Sequence, residues 1–118
     1  MGTTDERADG SAAHNSAADA FVRIIDDREI PGLESLILFG STVRGEATGL
    51  RSDVDFVATV SDDANKRAIE DELREIAYEV MLEYGPVVEV HVLSRSTFEQ
   101  RRDHPFIRRV VREGEMHV

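Results

Sequence analysis

A chain of 118 residues has room for one domain with a single core, which must be largely aliphatic because only 6% of its residues are aromatic. The absence of cysteine excludes disulfides and thiolate metal sites and fits a reducing cytoplasm, while no apolar run approaches the roughly 20 residues that span a bilayer. The net charge of −10 repels a phosphate backbone, so stable nucleic-acid binding is not expected.

The basic residues are strongly biased in type, since Lys66 is the single lysine among 14 of them. Two explanations of this excess of arginine over lysine are open. A saline cytoplasm would screen the repulsion among so many carboxylates. A GC-rich genome would also favour arginine over lysine.

The N-terminal segment 1–14 is polar, acidic and without hydrophobic periodicity, so we predict a disordered tail that is not a signal peptide. The domain is predicted over residues 15–118. A capping box of Ser16 and Asp19 predicts the start of a helix whose Phe21 and Ile25 face inward.

Three strands are predicted in the rest of the chain. The apolar run 35–39 predicts a buried strand that Gly40 ends, and residues 53–60 and 87–93 alternate as strands do. Asp62 and Asp63 are predicted to cap a long helix between the last two strands, and Pro105 to begin a final helix. An apolar residue falls at helical spacing four times along the long helix: Ile69, Leu73, Ile76 and Val80. This order predicts a small α+β domain with a three-stranded sheet and flanking helices.

Two aspartates separated by one residue, Asp53 and Asp55, project from the same side of the second strand. Their mutual repulsion requires a positive partner, and a carboxylate pair of this kind suits magnesium. Upstream, Gly40 allows close approach to a ligand, Ser41 adds a hydroxyl, and Arg44 could neutralise phosphate oxygens.

Each of these residues also has an interpretation without a ligand. The aspartates could lie on an exposed strand edge, Ser41 could cap a short helix, and Arg44 could pair with Glu46. Other sites are less favoured, because the four histidines lack zinc-site spacing and neither a P-loop nor a G-x-S-x-G motif is present.

The stretch GSTVRGEATGLRSDVDF, residues 40–56, resembles the minimal nucleotidyltransferases of the DNA polymerase β-like superfamily. Their pattern is an apolar strand, Gly-Ser, an Arg-Gly pair and Ser-Asp-x-Asp. It corresponds here to Gly40, Ser41, Val43, Arg44, Gly45, Ser52, Asp53 and Asp55. The resemblance covers residues 35–113.

The resemblance implies a mixed sheet and magnesium-dependent transfer of a nucleoside monophosphate, such as AMP from ATP, to an acceptor hydroxyl. Two Mg²⁺ ions would be held by Asp53, Asp55 and a third carboxylate. Gly40, Ser41, Arg44 and Ser52 would form the nucleotide-binding loop, although Ser52 could instead only fix the turn before the strand.

The resemblance also implies a partner. Many minimal members act as antitoxins of HEPN-domain toxins, some by adding AMP to a toxin tyrosine. A HEPN-type toxin is therefore the expected partner. The alternative is a non-catalytic module that binds a nucleotide or the toxin and neutralises by contact.

The third carboxylate is where the sequence departs from the family pattern. In the segment 87–93, Glu89 and His91 share one face of the strand. Alignment by the downstream Leu-Ser places the family's aspartate nearer His91, whereas Glu89 is the better magnesium ligand. We predict Glu89 as metal ligand and acceptor base with His91 beside it. Both could equally line a solvated face of the sheet.

Overall fold

The computed structural model describes residues 9–39 and 54–117, and all structural statements refer to these ranges. The elements in chain order are α1 (Asp9–Arg28), β1 (Leu33–Phe39), β2 (Val54–Val60), α2 (Lys66–Tyr84), β3 (Val88–Ser94), α3 (Arg95–Gln100), α4 (Pro105–Glu113) and β4 (Glu115–Met116).

The strands form one mixed sheet in the order β3-β2-β1-β4. β2 pairs antiparallel with β1 and parallel with β3, as a strand–helix–strand crossover through α2 requires. The α+β class and its three-stranded mixed sheet are confirmed. The structure adds β4, a two-residue edge strand that sequence analysis did not predict, which pairs with β1 through Ile37 and Met116.

One face of the sheet, here called the packed face, is covered by α1 and α2. Alternate residues of β2 point into it and are fully buried: Val54, Phe56, Ala58 and Val60. The ring of Phe21 on α1 lies 4.7 Å from that of Phe56, centroid to centroid. The predicted stripe of α2 is confirmed, because Ile69, Leu73, Ile76 and Val80 are all buried in the same cluster.

The opposite face, here called the open face, has a much smaller apolar cluster of Ile37, Val57 and Val110, the last from α4. Next to it, the hydroxyls of Ser35 and Thr59 share a hydrogen bond of 2.6 Å. Asp55 also lies on this face, because it alternates with the buried residues of β2. The open face therefore carries the polar residues of β2.

Two predicted helix starts are wrong. α1 begins at Asp9 and passes through Ser16, because the alanines around Ser16 favour continuation of the helix over a cap. Asn65 caps α2, its side chain accepting a hydrogen bond from the amide of Ala68 at 3.1 Å. Asp62 instead accepts a hydrogen bond from the amide of Ser96.

Other boundaries agree with prediction. Gly85, with φ of 105°, ends α2, and Pro105 begins α4. In α4, Ile107 and Val110 are buried, whereas Phe106 and Val111 of the predicted stripe are exposed. Residues 9–14 of the predicted tail belong to α1, and residues 1–8 lie outside the described ranges, so the division into a tail 1–14 and a domain 15–118 stays a prediction. None of the described helices combines the length and apolar character needed to cross a membrane.

Candidate functional site

Three polar side chains meet on the open face at the start of β2 and β3. In the parallel register of these strands, Asp55 pairs with Glu89 and Val57 pairs with His91. Asp55, Glu89 and His91 each offer a ligand atom, and these atoms all lie within 4.8 Å of one another. The structure therefore brings together one aspartate of the predicted pair and both candidates on the third strand.

The three side chains differ in their access to solvent. The Asp55 side chain is only 13% exposed and that of His91 is 40% exposed, while Glu89 is an exposed residue. The site thus has a sheltered carboxylate at its base and a reachable carboxylate at its rim.

The charges at the site interact. Nε2 of His91 lies 3.8 Å from Oδ1 of Asp55, which is an ion-pair separation and too long for a direct hydrogen bond. The Asp55 carboxylate is the main cause of a raised pKa at His91; partial burial of the imidazole opposes it and the Glu89 charge adds to it. The protonated imidazole is accordingly favoured beside the two carboxylates.

Two aromatic rings lie on one side of the imidazole. The ring of Phe106, at the start of α4, lies 5.9 Å from that of His91 in an edge-on arrangement, and the ring of Phe39 lies 6.4 Å away. Phe39 and Phe106 also contact each other edge to face at 5.3 Å. These contacts limit the orientations of the imidazole.

Phe106 is a site residue that sequence analysis missed, because it was assigned to the apolar stripe of α4. A usable signal was present. Phe106 follows Pro105 at the first turn of the helix, where a side chain points back towards the chain that enters the helix.

The remaining predicted site residues, Gly40, Ser41, Arg44, Ser52 and Asp53, lie outside the described ranges, so their roles stay predictions. The segment that contains them joins β1 to β2. Phe39, the last described residue before it, pairs with Asp55 across these strands. The last residue of β1 before the segment predicted to bind the nucleotide therefore lies beside Asp55.

The donor set fits a divalent cation. Two carboxylates and one imidazole can supply three ligands from adjacent strands, and the net negative charge of the carboxylates favours a cation between them. The positive partner required by the aspartate pair can thus be a metal ion, and a protonated His91 would also supply positive charge beside Asp55.

The comparison with protein families gives a class to this fold and site. A family model described as "Nucleotidyltransferase domain" matches residues 19–116. The matched range includes the whole sheet and all three residues of the cluster. This chain belongs to the nucleotidyltransferase domain family.

Among solved structures, the chain is similar to a candidate nucleotidyltransferase from Sulfolobus solfataricus. The two share 18% sequence identity with a TM-score of 0.48, over 92% of this chain and 82% of that one. No curated protein gives a significant match.

Proposed function

We propose that this protein transfers a nucleoside monophosphate, AMP from ATP, to a hydroxyl group of a partner protein. The observation that carries the proposal is the pairing of Asp55 with Glu89 on adjacent strands of a nucleotidyltransferase domain. The choice of AMP and of a protein acceptor rests on the resemblance of residues 40–56 to minimal nucleotidyltransferases.

In this reaction the acceptor oxygen attacks the α-phosphorus of the triphosphate, the bond from that phosphorus to the bridging oxygen breaks, and pyrophosphate leaves. Mg²⁺, when bound, would neutralise charge on the phosphate oxygens. Asp55 and Glu89 would hold the metal, together with Asp53 as predicted from the sequence.

Glu89 is the best placed of the described residues to accept the proton of the acceptor hydroxyl. Its carboxylate is exposed, so an acceptor side chain from another protein can reach it. Asp55 is sheltered and is better suited to hold a cation than to meet an incoming protein group.

The proposed partner is a HEPN-type toxin, with this protein as its antitoxin. Support comes from the motif resemblance alone, so the identity of the neighbouring gene is the most informative first observation.

The test is transfer of label from α-labelled ATP to the neighbouring gene product, with Mg²⁺ or Mn²⁺, at low and high salt. We expect label on the partner, and its loss in Asp55→Asn. Asp71→Asn is a matched control, because Asp71 is exposed on α2 and far from the cluster in sequence and fold. Absence of label with every nucleotide and every divalent metal would contradict the proposal.

The same variants show whether the protein neutralises the toxin by modifying it or only by binding to it. If Asp55→Asn loses transfer but still neutralises the toxin in cells, the protein acts as a binding module. If transfer and neutralisation disappear together while the variant stays folded, modification is the mechanism.

A further inference from the structure

We propose that His91 is a metal ligand of this site, and that the set Asp55, Glu89 and His91 binds a first-row transition dication, such as Mn²⁺, Co²⁺ or Zn²⁺, more tightly than Mg²⁺. The inference rests on the site used in the proposed function. It concerns only the choice of metal, so it can be tested without nucleotide, acceptor or transfer.

The first argument is the position of His91 on the sheet. Glu89 and His91 are two residues apart on β3 and share the open face, and the parallel register pairs Glu89 with Asp55 and His91 with Val57, the next residue but one along β2. Because His91 lies two residues beyond Glu89, its ring is near the two carboxylates only if it points back along the strand. The ring does point back, since Nε2 of His91 lies 3.8 Å from Oδ1 of Asp55.

The second argument is distance. Two protein ligands bound to one ion at about 2.1 Å each can be no more than about 4.2 Å apart. The Asp55–His91 separation already satisfies this limit. The widest separation in the cluster, within 4.8 Å, requires only a small adjustment, which the exposed and flexible Glu89 side chain can make.

The third argument is the restraint on the imidazole. The rings of Phe39 and Phe106 lie together on one side of His91 and contact each other. A ligand that is already oriented loses less conformational entropy when a metal binds. Such a support is expected for a metal-binding histidine and has no obvious purpose for a solvated one.

The fourth argument is ligand chemistry. Mg²⁺ prefers oxygen ligands and keeps several waters, whereas imidazole nitrogen suits transition-metal dications. Replacing one carboxylate of an all-oxygen set by imidazole therefore shifts selectivity away from Mg²⁺. The spacing of histidines in the sequence did not indicate such a site, because the ligands come from two strands that meet only in the fold.

The direct test is electron spin-echo spectroscopy of the protein with one equivalent of Mn²⁺, in the absence of nucleotide. We expect nitrogen modulation from a bound imidazole in the wild type and its loss in His91→Ala. His117→Ala is the matched control and should keep the signal, because His117 lies beyond β4 and outside the cluster.

Calorimetry then measures selectivity. We expect Mn²⁺ and Zn²⁺ to bind at least about tenfold more tightly than Mg²⁺, and His91→Ala to remove most of this difference while Mg²⁺ affinity changes little. Circular dichroism of each variant establishes that the fold is intact.

Two results would overturn the proposal. Nitrogen modulation that persists in His91→Ala would place the ligand elsewhere. Tighter binding of every cation by His91→Ala would show that the imidazole repels metal as a positive neighbour of Asp55. Neither result depends on whether the protein transfers a nucleotide, so failure of this proposal and failure of the proposed function are distinguishable.

Discussion

The two faces of the sheet differ in both packing and charge. On the packed face, α2 buries five residues against the strands, and its solvent side is acidic, with six carboxylates against three basic residues in the helix. On the open face, α3 has no buried residue and α4 has two. The segment 95–113 is basic, with six arginines against three carboxylates.

This difference separates stability from chemistry on the same strands. β2 contributes Phe56 to the packed face and Asp55 to the open face, one residue apart. Because successive side chains point to opposite faces, β2 can hold Asp55 beside the like charge of Glu89 on one side while its apolar side fixes the backbone. The packed face therefore supplies the stability that the site requires.

The largest expected effect is on the packed face. Leu73→Ala should lower the free energy of unfolding by about 2–5 kcal/mol, because Leu73 is fully buried and its loss leaves a cavity. Denaturant unfolding measures this. Leu82→Ala, with Leu82 65% exposed on the same helix, should change stability by less than about 0.5 kcal/mol. Similar losses of unfolding free energy in the two variants would show that burial on the packed face is not the main source of stability.

A smaller effect is expected on the open face. Val110→Ala removes buried methyl groups from a cluster of only three buried residues and should cost about 1–2 kcal/mol. The adjacent Val111→Ala is the control, because Val111 is 48% exposed, and it should stay within about 0.5 kcal/mol of the wild type. A loss at Val110 as large as that at Leu73 would mean that the two faces are equally important for stability.

The difference in charge between the two faces predicts that the melting temperature depends modestly on salt concentration. With a net charge of −10, the melting temperature should rise from low to molar KCl as repulsion is screened. Removing two acids of α2, in Glu75→Gln with Glu79→Gln, should flatten this rise.

The opposite change, Arg101→Gln with Arg108→Gln, should steepen it, because these exposed arginines offset the excess of acids. Equal melting temperatures across the KCl range would leave genome composition as the explanation for the arginines.

The smallest effect on stability is expected at the site. Without divalent metal, Glu89→Gln should leave the free energy of unfolding within about 0.5 kcal/mol of wild type, with a slight gain because a like charge beside Asp55 is removed. Transfer should fall about 100-fold or more if Glu89 is the proton acceptor. Glu79→Gln, on the outer side of α2, is the control for both measurements.

A wild-type transfer rate in Glu89→Gln would contradict the role of Glu89 and make His91→Ala the next variant to examine.

Sequence patterns best predicted elements in which the same spacing of apolar residues repeats over several turns. The spacing of Ile69, Leu73, Ile76 and Val80 predicted the buried side of α2, because each turn repeats the same requirement for burial. The start of α1 was predicted wrongly, because Ser16 is acceptable both as a cap and within a helix that alanines support. β4 was missed because two residues carry too little periodicity to indicate a strand.

The candidate site could be predicted only in part. Alternation along β3 placed Glu89 and His91 on one face, and the structure shows this arrangement. Their closeness to Asp55 depends on the parallel register between β2 and β3, which joins residues far apart in the chain and leaves no local pattern. The contact of Phe106 with His91 depends likewise on how α4 crosses the open face.

The register of β3 has a consequence for how this gene can change over time. Residues 85–87 connect α2 to β3 and are tied at both ends, since the amide of Gly85 donates to the carbonyl of Met81 and the amide of Val54 donates to that of Val87. An insertion or deletion of one residue in this link could shift the register of β3 by one residue. Glu89 and His91 would then point into the core, and valines of β3 would take their place on the open face. A codon change at Glu89 or His91 leaves the alternation of β3 unchanged, so descendants of this sequence can exchange these two residues far more readily than they can alter the length of this link.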